Sequence, residues 1–520
     1  MLTVFGPYAL LVALALWLNR LDATGCKGKG FDVLVDGTPL MLISILYSSF
    51  LLMTGRSYFS GLLGVGGALL LFAVNRLKLA QFKEPLVFVD FGLFVQMIRH
   101  PRFYFPYIFP LPVVLTVAAL TGVMGVLFWV QPSLGAEEVR LSRVLFLAAL
   151  LPVILVLIRF SGAGKHWVKG LVERRQPTFD PNTDFANFGL TGSLLLHSLA
   201  HVHRDGKDGQ GGLLPSDRPS PQCVWTESKL APMVAPKPHV VLVQAESFFD
   251  IRRVDETIDS SLFTHFDRLR NESMAGQMKV SAHGAYTMRT EFSVLTGVPN
   301  GQLETDAMNP YLTAATRPVW SLAKHYKAQG YRCICVHPYD LKFFRRDKVM
   351  PNLGFDELHG EELFLSAKRV GPYVSDDSVA DYILSLLEDS SEPLFVFAIT
   401  IEAHGPWDEE RFKMMNQPPE PVDGQDWGGG ELVAYLTHLR NTDRMLGKLT
   451  DADAYGSDRP RIVAMYGDHV GCVPEDRPVN GNTEYIVWSD TNRQAVSQNI
   501  HAETLGGLMT RLSVESQKTD

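Results

Sequence analysis

The long apolar stretches of this chain lie almost entirely before residue 161. They cover roughly 2–19, 38–54, 57–75, 105–130 and 142–160. A bilayer core has no water to satisfy peptide groups, so a crossing segment must be a helix of ~20 residues. The pattern therefore predicts an α-helical membrane domain of about five transmembrane helices over 1–160. The first stretch, LTVFGPYALLVALALWLN, lacks a basic leader and a small-residue cleavage site, so it reads as a retained helix. The stretch EPLVFVDFGLFVQMI (84–98) is too short and carries Glu84 and Asp90, which suits a segment at the interface.

Most of the charge follows residue 161. The formal net charge of −8 over 520 residues gives no reason to expect nucleic acid. The five cysteines form no CxxC and are odd in number, so no disulfide framework is legible. The basic residues pose a conflict. Arg20, Lys27, Lys29, Arg76, Lys78, Lys83, Arg99, Arg102, Lys165, Lys169, Arg174 and Arg175 flank one end of the spans, against Arg56, Arg140 and Arg143 at the other. Read literally, that bias puts the soluble part in the cytoplasm.

Residues 161–237 read as a juxtamembrane helix and linker. In NFGLTGSLLLHSLAHVHR (187–204), His197 and His201 have metal-binding spacing. No carboxylate accompanies them on that face, which borders a leucine stripe, so a packing helix is expected. Residues 205–237 are rich in Gly, Pro, Ser and Asp, as linkers are. From 238 to 520, short apolar runs alternate with helical stretches, which predicts an α/β domain with a mostly parallel central sheet. The runs are 239–246, 331–337, 393–400 and 461–469. Helices are expected over 288–296, 316–329, 376–388, 430–450 and 501–513.

Each run ends in ionisable residues: Glu246, then His337, then Glu402 and His404, then Asp468-His469. In a doubly wound sheet the carboxyl ends of the strands line one crevice. Two carboxylates and an imidazole, Glu246, Asp468 and His469, suit a divalent ion of the zinc or manganese kind. Asp468-His469 alone would equally make a capped turn. A nucleophile is offered by HGAYTMRTEFSVLTG (283–297), where Thr287 opens a helix that also carries Glu291. Thr287 could instead be only an N-cap. In DLKFFRRDKVMPNLGFDEL (340–358), Arg345 or Arg346 could clamp a phosphate and Phe344 could pack on a small polyol.

The order of these motifs resembles the lipoteichoic acid synthase and phosphoglycerol transferase family, within the alkaline phosphatase/sulfatase superfamily. The matching segments are VQAESFFD, GAYTMRTEF, HPYDLKFFRRDKVMPNLGFDEL, VSDDSVADYI, ITIEAHGPW, LRNTDRMLG and MYGDHVG, in order over roughly 238–470. The resemblance implies an alkaline phosphatase-like (sulfatase-like) domain in which Glu246, Thr287, Asp468 and His469 hold one divalent ion, Mn²⁺ by analogy, with Zn²⁺ or Mg²⁺ as alternatives. It implies that Thr287 attacks phosphatidylglycerol, releases diacylglycerol and carries glycerophosphate to an envelope glycan or polyol-phosphate acceptor. His337, Phe344, Arg346 and His404 would bind the transferred group, with His404 moving a proton. Tyr339 and Phe344 depart from the Gram-positive members, which have a polar residue and a tryptophan there. Loop 405–430 is a candidate for acceptor recognition.

The resemblance also implies a multi-pass protein of the bacterial cytoplasmic membrane with its catalytic domain outside. An odd number of spans from a cytoplasmic N-terminus gives that result, and the basic residues of 76–104 would then meet anionic lipid. Alternatives are a phosphoethanolamine transferase, a phosphoesterase, or a non-catalytic lipid- or polymer-binding regulator. A formylglycine sulfatase is not expected, because Thr287-Met288-Arg289-Thr290 stands where Cys/Ser-x-Pro-x-Arg would be.

Overall fold

The computed structural model describes residues 2–26, 30–92, 111–135, 143, 146, 162–205, 218–220, 223–225, 236–282, 284, 286–407, 430–451, 456, 459–471 and 480–515. They form two compact units, Met1–Gly211 and Gly212–Asp520.

The first unit is helical. Its helices are α1 (Leu2–Asp22), α2 (Thr38–Thr54), α3 (Ser57–Phe82), α4 (Leu111–Val130), α5 (Gly162–Arg175) and α6 (Pro181–Asp205). Helices α1, α2 and α3 pack on one another. Gly61 and Gly64 let α3 approach Pro7 and Leu11 of α1, where a Cβ would collide. Among the described residues two helices, over Val33–Thr54 and Ser57–Ala80, are long and apolar enough to cross a membrane, not five. Helix α1 covers the expected first span but closes on the polar sequence Asn19-Arg20-Leu21-Asp22, and the apolar helix found within the expected fourth span is Thr121–Val130. The stretch 142–160 lies almost wholly outside the described residues.

Polar residues gather where α1 and α3 end and α2 begins. Arg20 pairs with Asp36 at 2.7 Å, Arg76 with Asp22 at 2.5 Å, Lys78 with Asp90 at 2.6 Å and Arg175 with Asp32 at 2.7 Å. The start of the 84–98 segment folds back on α3, with the Leu86 N–H donating to Asn75 Oδ1 at 2.8 Å; residues 93–98 lie outside the described residues. Helix α6 kinks at Gly189 (φ 68°, ψ 178°), where the Asn19 side chain fills the space a Cβ would take. His197 and His201 are not a metal pair. His197 Nε2 bonds Asp184 Oδ2 at 2.7 Å, a carboxylate from the first turn of the same helix that the spacing argument overlooked, and His201 lies against Phe88.

The second unit is built on a nine-stranded sheet. Its strands are β1 (His239–Ala245), β2 (Met274–Lys279), β3 (Arg332–Val336), β4 (Glu357–His359), β7 (Leu394–Ile399), β8 (Arg461–Gly467), β9 (Thr483–Ser489), β10 (Val496–Ser497) and β11 (Ile500–His501); β5 (Arg369–Val370) and β6 (Tyr373–Val374) form a separate ribbon. The order is β10-β2-β9-β8-β1-β7-β3-β4, with β11 also on β2. The central run β8-β1-β7-β3-β4 is parallel, whereas β9 is antiparallel to both β8 and β2. Strands β1, β7 and β8 are buried along their whole length, as expected of parallel strands covered on both faces. The covering helices include α7 (Thr264–Arg270), α8 (Thr287–Thr296), α9 (Tyr311–Ala314), α10 (Leu322–Ala328), α11 (Arg346–Leu353), α12 (Asp376–Glu388), α13 (Gly430–Thr450) and α14 (Leu505–Glu515).

The four expected runs are β1, β3, β7 and β8. Strands β2 (MAGQMK) and β9 (TEYIVWS) were not anticipated, because both mix polar residues into short runs. In β9, Glu484 is tolerated because Arg253 lies 2.9 Å away and the Asp250 N–H also meets it.

The tip of the β1–β8 pair is tightly built. Ser247 takes a left-handed conformation (φ 55°), which turns the chain so that the Phe248 carbonyl lies where a Cβ on Gly467 would be. Gly467→Ala is therefore expected to cost about 1–3 kcal/mol or more through forced backbone movement. Urea unfolding of the purified variant measures this, and an unchanged midpoint would contradict the close approach.

Candidate active site

Parallel register fixes the first two site residues. Ala245 of β1 pairs with Gly467 of β8, so the next residue on each strand, Glu246 and Asp468, emerges at the same edge. His469 follows directly. One ligand atom from each of Glu246, Asp468 and His469 lies within 4.8 Å of the others, and all three residues are buried. His469 Nε2 is 3.4 Å from Glu246 Oε1 and 3.6 Å from Asp468 Oδ2.

The hydrogen bonds around this group orient it. Asp468 Oδ1 accepts the N–H groups of Ser247 at 2.8 Å and of His469 at 2.9 Å. Asp468 Oδ2 is buried with no hydrogen-bond partner. His469 Nδ1 lies 2.9 Å from the Val470 carbonyl, which can only accept, so Nδ1 carries a proton and Nε2 is the nitrogen that faces the two carboxylates and would present a lone pair to a cation after losing its own proton. The Glu246 N–H donates to Thr400 Oγ1 at 3.0 Å, tying β1 to the end of β7. A buried carboxylate oxygen lacking a donor, a second carboxylate and an oriented imidazole fit a divalent cation.

Without an ion, His469 takes the positive role. Burial opposes its charge, but Asp468 and the hydrogen bond to Glu246 outweigh burial and raise it to about 9. Burial and the Glu246 charge push Asp468 up to about 7, while His469 overcomes burial to hold Glu246 down at about 2. The three groups thus share one positive charge in a space that suits a stronger one.

Thr287 is buried at the first position of α8, after Tyr286 in left-handed conformation (φ 61°). One turn on, Thr290 Oγ1 donates to the Asp468 carbonyl at 3.0 Å, docking the start of α8 against the tip of β8. Residues i and i+3 share a helix face, so Thr287 belongs to the face that meets this tip. The Tyr286 side chain lies under the Arg289 guanidinium, 4.3 Å from its ring centre, and makes no cap to the helix.

A second group flanks the first. Arg346, at the start of α11, grips Glu291 of α8 through Nη2 at 2.8 Å and Nε at 3.3 Å, and both residues are essentially inaccessible. Tyr311 donates to Glu291 as well, and Gln244 Nε2 lies 3.3 Å from it. His337 follows β3, with Nδ1 on the Ile399 carbonyl at 3.1 Å and Nε2 accepting from Arg346 Nη1 at 3.3 Å. Burial and the Arg346 charge lower His337 to about 3, so it is neutral. The Arg346 fork, expected on a phosphate, is thus engaged by Glu291, and neutral Nε2 of His337 is engaged by Arg346. The partnership of Glu291 with Arg346 is the part of the site that sequence reasoning missed.

Phe344 and Arg345 are both left-handed (φ 53° and 59°), a strained pair of non-glycine residues. The turn half-buries Phe344, with its ring 5.4 Å from the Arg346 guanidinium, and leaves Arg345 exposed. Of the two arginines, it is Arg346 that turns inward. His404 lies after β7, half-buried, with Nδ1 on the Gly405 carbonyl at 2.8 Å and its ring 5.9 Å from that of Tyr373. Glu402 does not join the cluster. Its carboxylate turns to α12 and α13, accepting from Asn441 Nδ2 at 2.6 Å and the Asp376 N–H at 2.7 Å, with His438 Nδ1 at 3.0 Å. Most of loop 405–430 lies outside the described residues.

Comparisons with known proteins bear on the family and the fold. The family model described as Sulfatase matches residues 238–504. A capsular polysaccharide biosynthesis protein of Rhizobium meliloti is 27% identical over 451 residues, covering 85% of this chain and 79% of that protein. The integral membrane lipooligosaccharide phosphoethanolamine transferase of Neisseria meningitidis shares the fold over 96% of this chain and 95% of its own, at 13% identity and a TM-score of 0.52. A Streptococcus pyogenes phosphoglycerol transferase solved with sn-glycerol-1-phosphate aligns over 56% of this chain and 82% of its own, at 23% identity and a TM-score of 0.43.

Two outcomes are expected. A divalent cation binding here would have to displace protons from His469 and Asp468, so affinity for added Mn²⁺ is expected to rise with pH between 6 and 9, by about tenfold per pH unit for each proton released. Calorimetric titration in buffers of different ionisation enthalpy checks both slope and proton count. Glu291→Gln leaves Arg346 buried with half its partner and should lower unfolding stability by about 3–5 kcal/mol. Denaturant unfolding reads this, and a change below 1 kcal/mol would contradict the buried pair.

Proposed function

Because the chain belongs to the sulfatase family, we propose that it is a membrane-anchored, metal-dependent phosphoglycerol transferase. In this reading it moves glycerophosphate from phosphatidylglycerol, by way of Thr287, to an envelope glycan or polyol-phosphate acceptor. The observation that carries the reading is the buried cluster of Glu246, Asp468 and His469, with its unpartnered Asp468 oxygen, against the helix that Thr287 opens. The head group rests on the motif resemblance around His337, Phe344 and Arg346. A polysaccharide acceptor is supported by the Rhizobium meliloti relative, whose name places it in capsular polysaccharide biosynthesis.

Glu246, Asp468 and His469 would hold one divalent ion together with Thr287, Mn²⁺ by analogy with the family. When bound, such an ion supplies Lewis acidity at a phosphoryl oxygen and favours the alkoxide of the threonine. Thr287 Oγ, its hydroxyl proton released to solvent beforehand, forms a bond to phosphorus, and the bond from phosphorus to the diacylglycerol oxygen breaks. The departing oxygen needs a proton. His404 is suited to give it from Nε2, since the Gly405 carbonyl fixes the other ring proton on Nδ1. The same nitrogen then takes the proton of the acceptor hydroxyl as that oxygen replaces Thr287 on phosphorus. Arg346, kept charged by Glu291, places a fixed positive field beside the phosphoryl group.

A catalytic unit on the outer side of the cytoplasmic membrane suits these substrates. The ion pairs of Arg20, Arg76, Lys78 and Arg175 give those basic residues structural work within the helical unit. That accounts for their presence there without a cytoplasmic location.

The test uses full-length protein in detergent with Mn²⁺ and either phosphatidylglycerol or phosphatidylethanolamine. Diacylglycerol release from phosphatidylglycerol is expected, with a glycerophosphoryl adduct on the Thr287 peptide by mass spectrometry. Thr287→Ala should lower release at least 10³-fold, on the order expected for a lost covalent nucleophile. Release from phosphatidylethanolamine alone would replace the head group, and no release from metal-loaded protein would remove the transferase reading.

A further inference from the structure

We propose that the segment 360–368 is a membrane-contact element, by which the catalytic unit seats its active-site edge on an anionic lipid surface. Among the described residues of that unit, the large apolar side chains left exposed are Leu363 and Leu365, at 48% and 77%. Isolated exposed leucines need no explanation, but two on one short segment, with no other among the described residues of the unit, stand out. Between them Phe364 is buried and packs on Tyr382, with ring centres 4.9 Å apart. This anchor turns its two neighbours outward, so their exposure is built into the fold.

The segment lies beside the candidate site. It begins where β4 ends, at the carboxyl edge of the sheet, and β4 is the edge strand. The His337 N–H donates to the His359 carbonyl at 2.9 Å, and Leu341 reaches to within 3.0 Å of where a Cβ on Gly360 would lie. The element is thus joined to the 337–346 stretch that carries His337, Phe344 and Arg346.

Its surroundings fit anionic head groups. Lys342, Arg345 and Lys368 are exposed on the same two stretches. The neighbouring acids each have a local partner: Glu361 Oε1 meets Arg369 at 3.2 Å, Glu362 Oε1 accepts the Gly360 N–H at 3.1 Å, Asp340 Oδ1 accepts the Lys342 N–H at 2.8 Å, and Asp347 lies 3.8 Å from Lys348. Leucines that enter the acyl boundary, ringed by lysine and arginine at head-group level, are the pattern of an interfacial anchor. A donor whose phosphate sits at the bilayer surface cannot reach a crevice held away from it. The inference rests on the lipid-donor reading in that respect, although its geometry does not.

The experiment uses full-length protein reconstituted in phosphatidylglycerol-containing vesicles. Leu365→Cys is labelled with an environment-sensitive nitrobenzoxadiazole fluorophore, the signal of identically treated unsubstituted protein is subtracted, and Ser391→Cys, before β7 at the opposite sheet edge, is the control. The Leu365 probe is expected to be quenched by doxyl-labelled lipid and shielded from aqueous iodide, with the reverse at Ser391. Iodide quenching at Leu365, or protection from both quenchers, which would mean that protein covers it, overturns the proposal. In parallel, Leu363→Ser/Leu365→Ser should lower diacylglycerol release from the bilayer at least tenfold. It should leave release from monomeric dihexanoyl phosphatidylglycerol within twofold. An equal loss on both donors would mark a damaged site and overturn it. If unsubstituted protein releases nothing from either donor while lipid quenching persists, the transferase reading fails and the membrane contact stands.

Discussion

The parallel pairing of β1 with β8 is the interaction on which the candidate site depends. Because Ala245 and Gly467 are in register, two strands far apart in sequence deliver Glu246 and Asp468 side by side, with His469 one residue on. Two carboxylates buried this closely repel, and the structure tolerates them only through the His469 charge and the N–H groups of Ser247 and His469 on Asp468 Oδ1. The remaining oxygen, Asp468 Oδ2, has no donor. A divalent cation held there, as proposed, would add to this charge balance and would tie fold stability and metal binding to one set of atoms.

Around that tip, each element is held by a further polar contact. Thr290 fastens α8 to Asp468, Thr400 fastens β7 to Glu246, and Glu291 locks α8 to Arg346 and through it to His337. The Glu291–Arg346 pair is buried, so each charge would be very costly without the other. It links the helix that carries the candidate nucleophile to the turn that carries Phe344. Strain at Phe344 and Arg345 is sustained by the same anchoring, since Arg346 cannot leave Glu291 to relieve it.

Much of this was legible in the chain. Runs such as RIVAMYGDH stop abruptly at ionisable residues, and a buried parallel strand leaves no other place for such residues than its carboxyl end. The same signal misplaced Glu402, because an acidic residue after a buried strand serves equally well to brace a helix pair through Asn441 and His438. Strands β2 and β9 went unseen because Gln277 and Glu484 interrupt their apolar pattern. In the helical unit, Asp184 was missed as the partner of His197 because thirteen residues separate them along a helix that kinks at Gly189.

By itself the sequence determined what is set by local chemistry: apolar length for helices in the first part, strand–helix alternation in the second, and the types of residue at each strand end. It also set the motif order that marks the family. Tertiary structure decided what depends on partners distant in sequence. It chose Arg346 over Arg345 as the inward arginine, paired it with Glu291, separated Glu402 from the Glu246 cluster, and left Leu363 and Leu365 outside while burying Phe364. Those outcomes follow from register, backbone turns and the desolvation cost of buried charge, and each is a property of two or more segments meeting, which no single stretch of sequence contains.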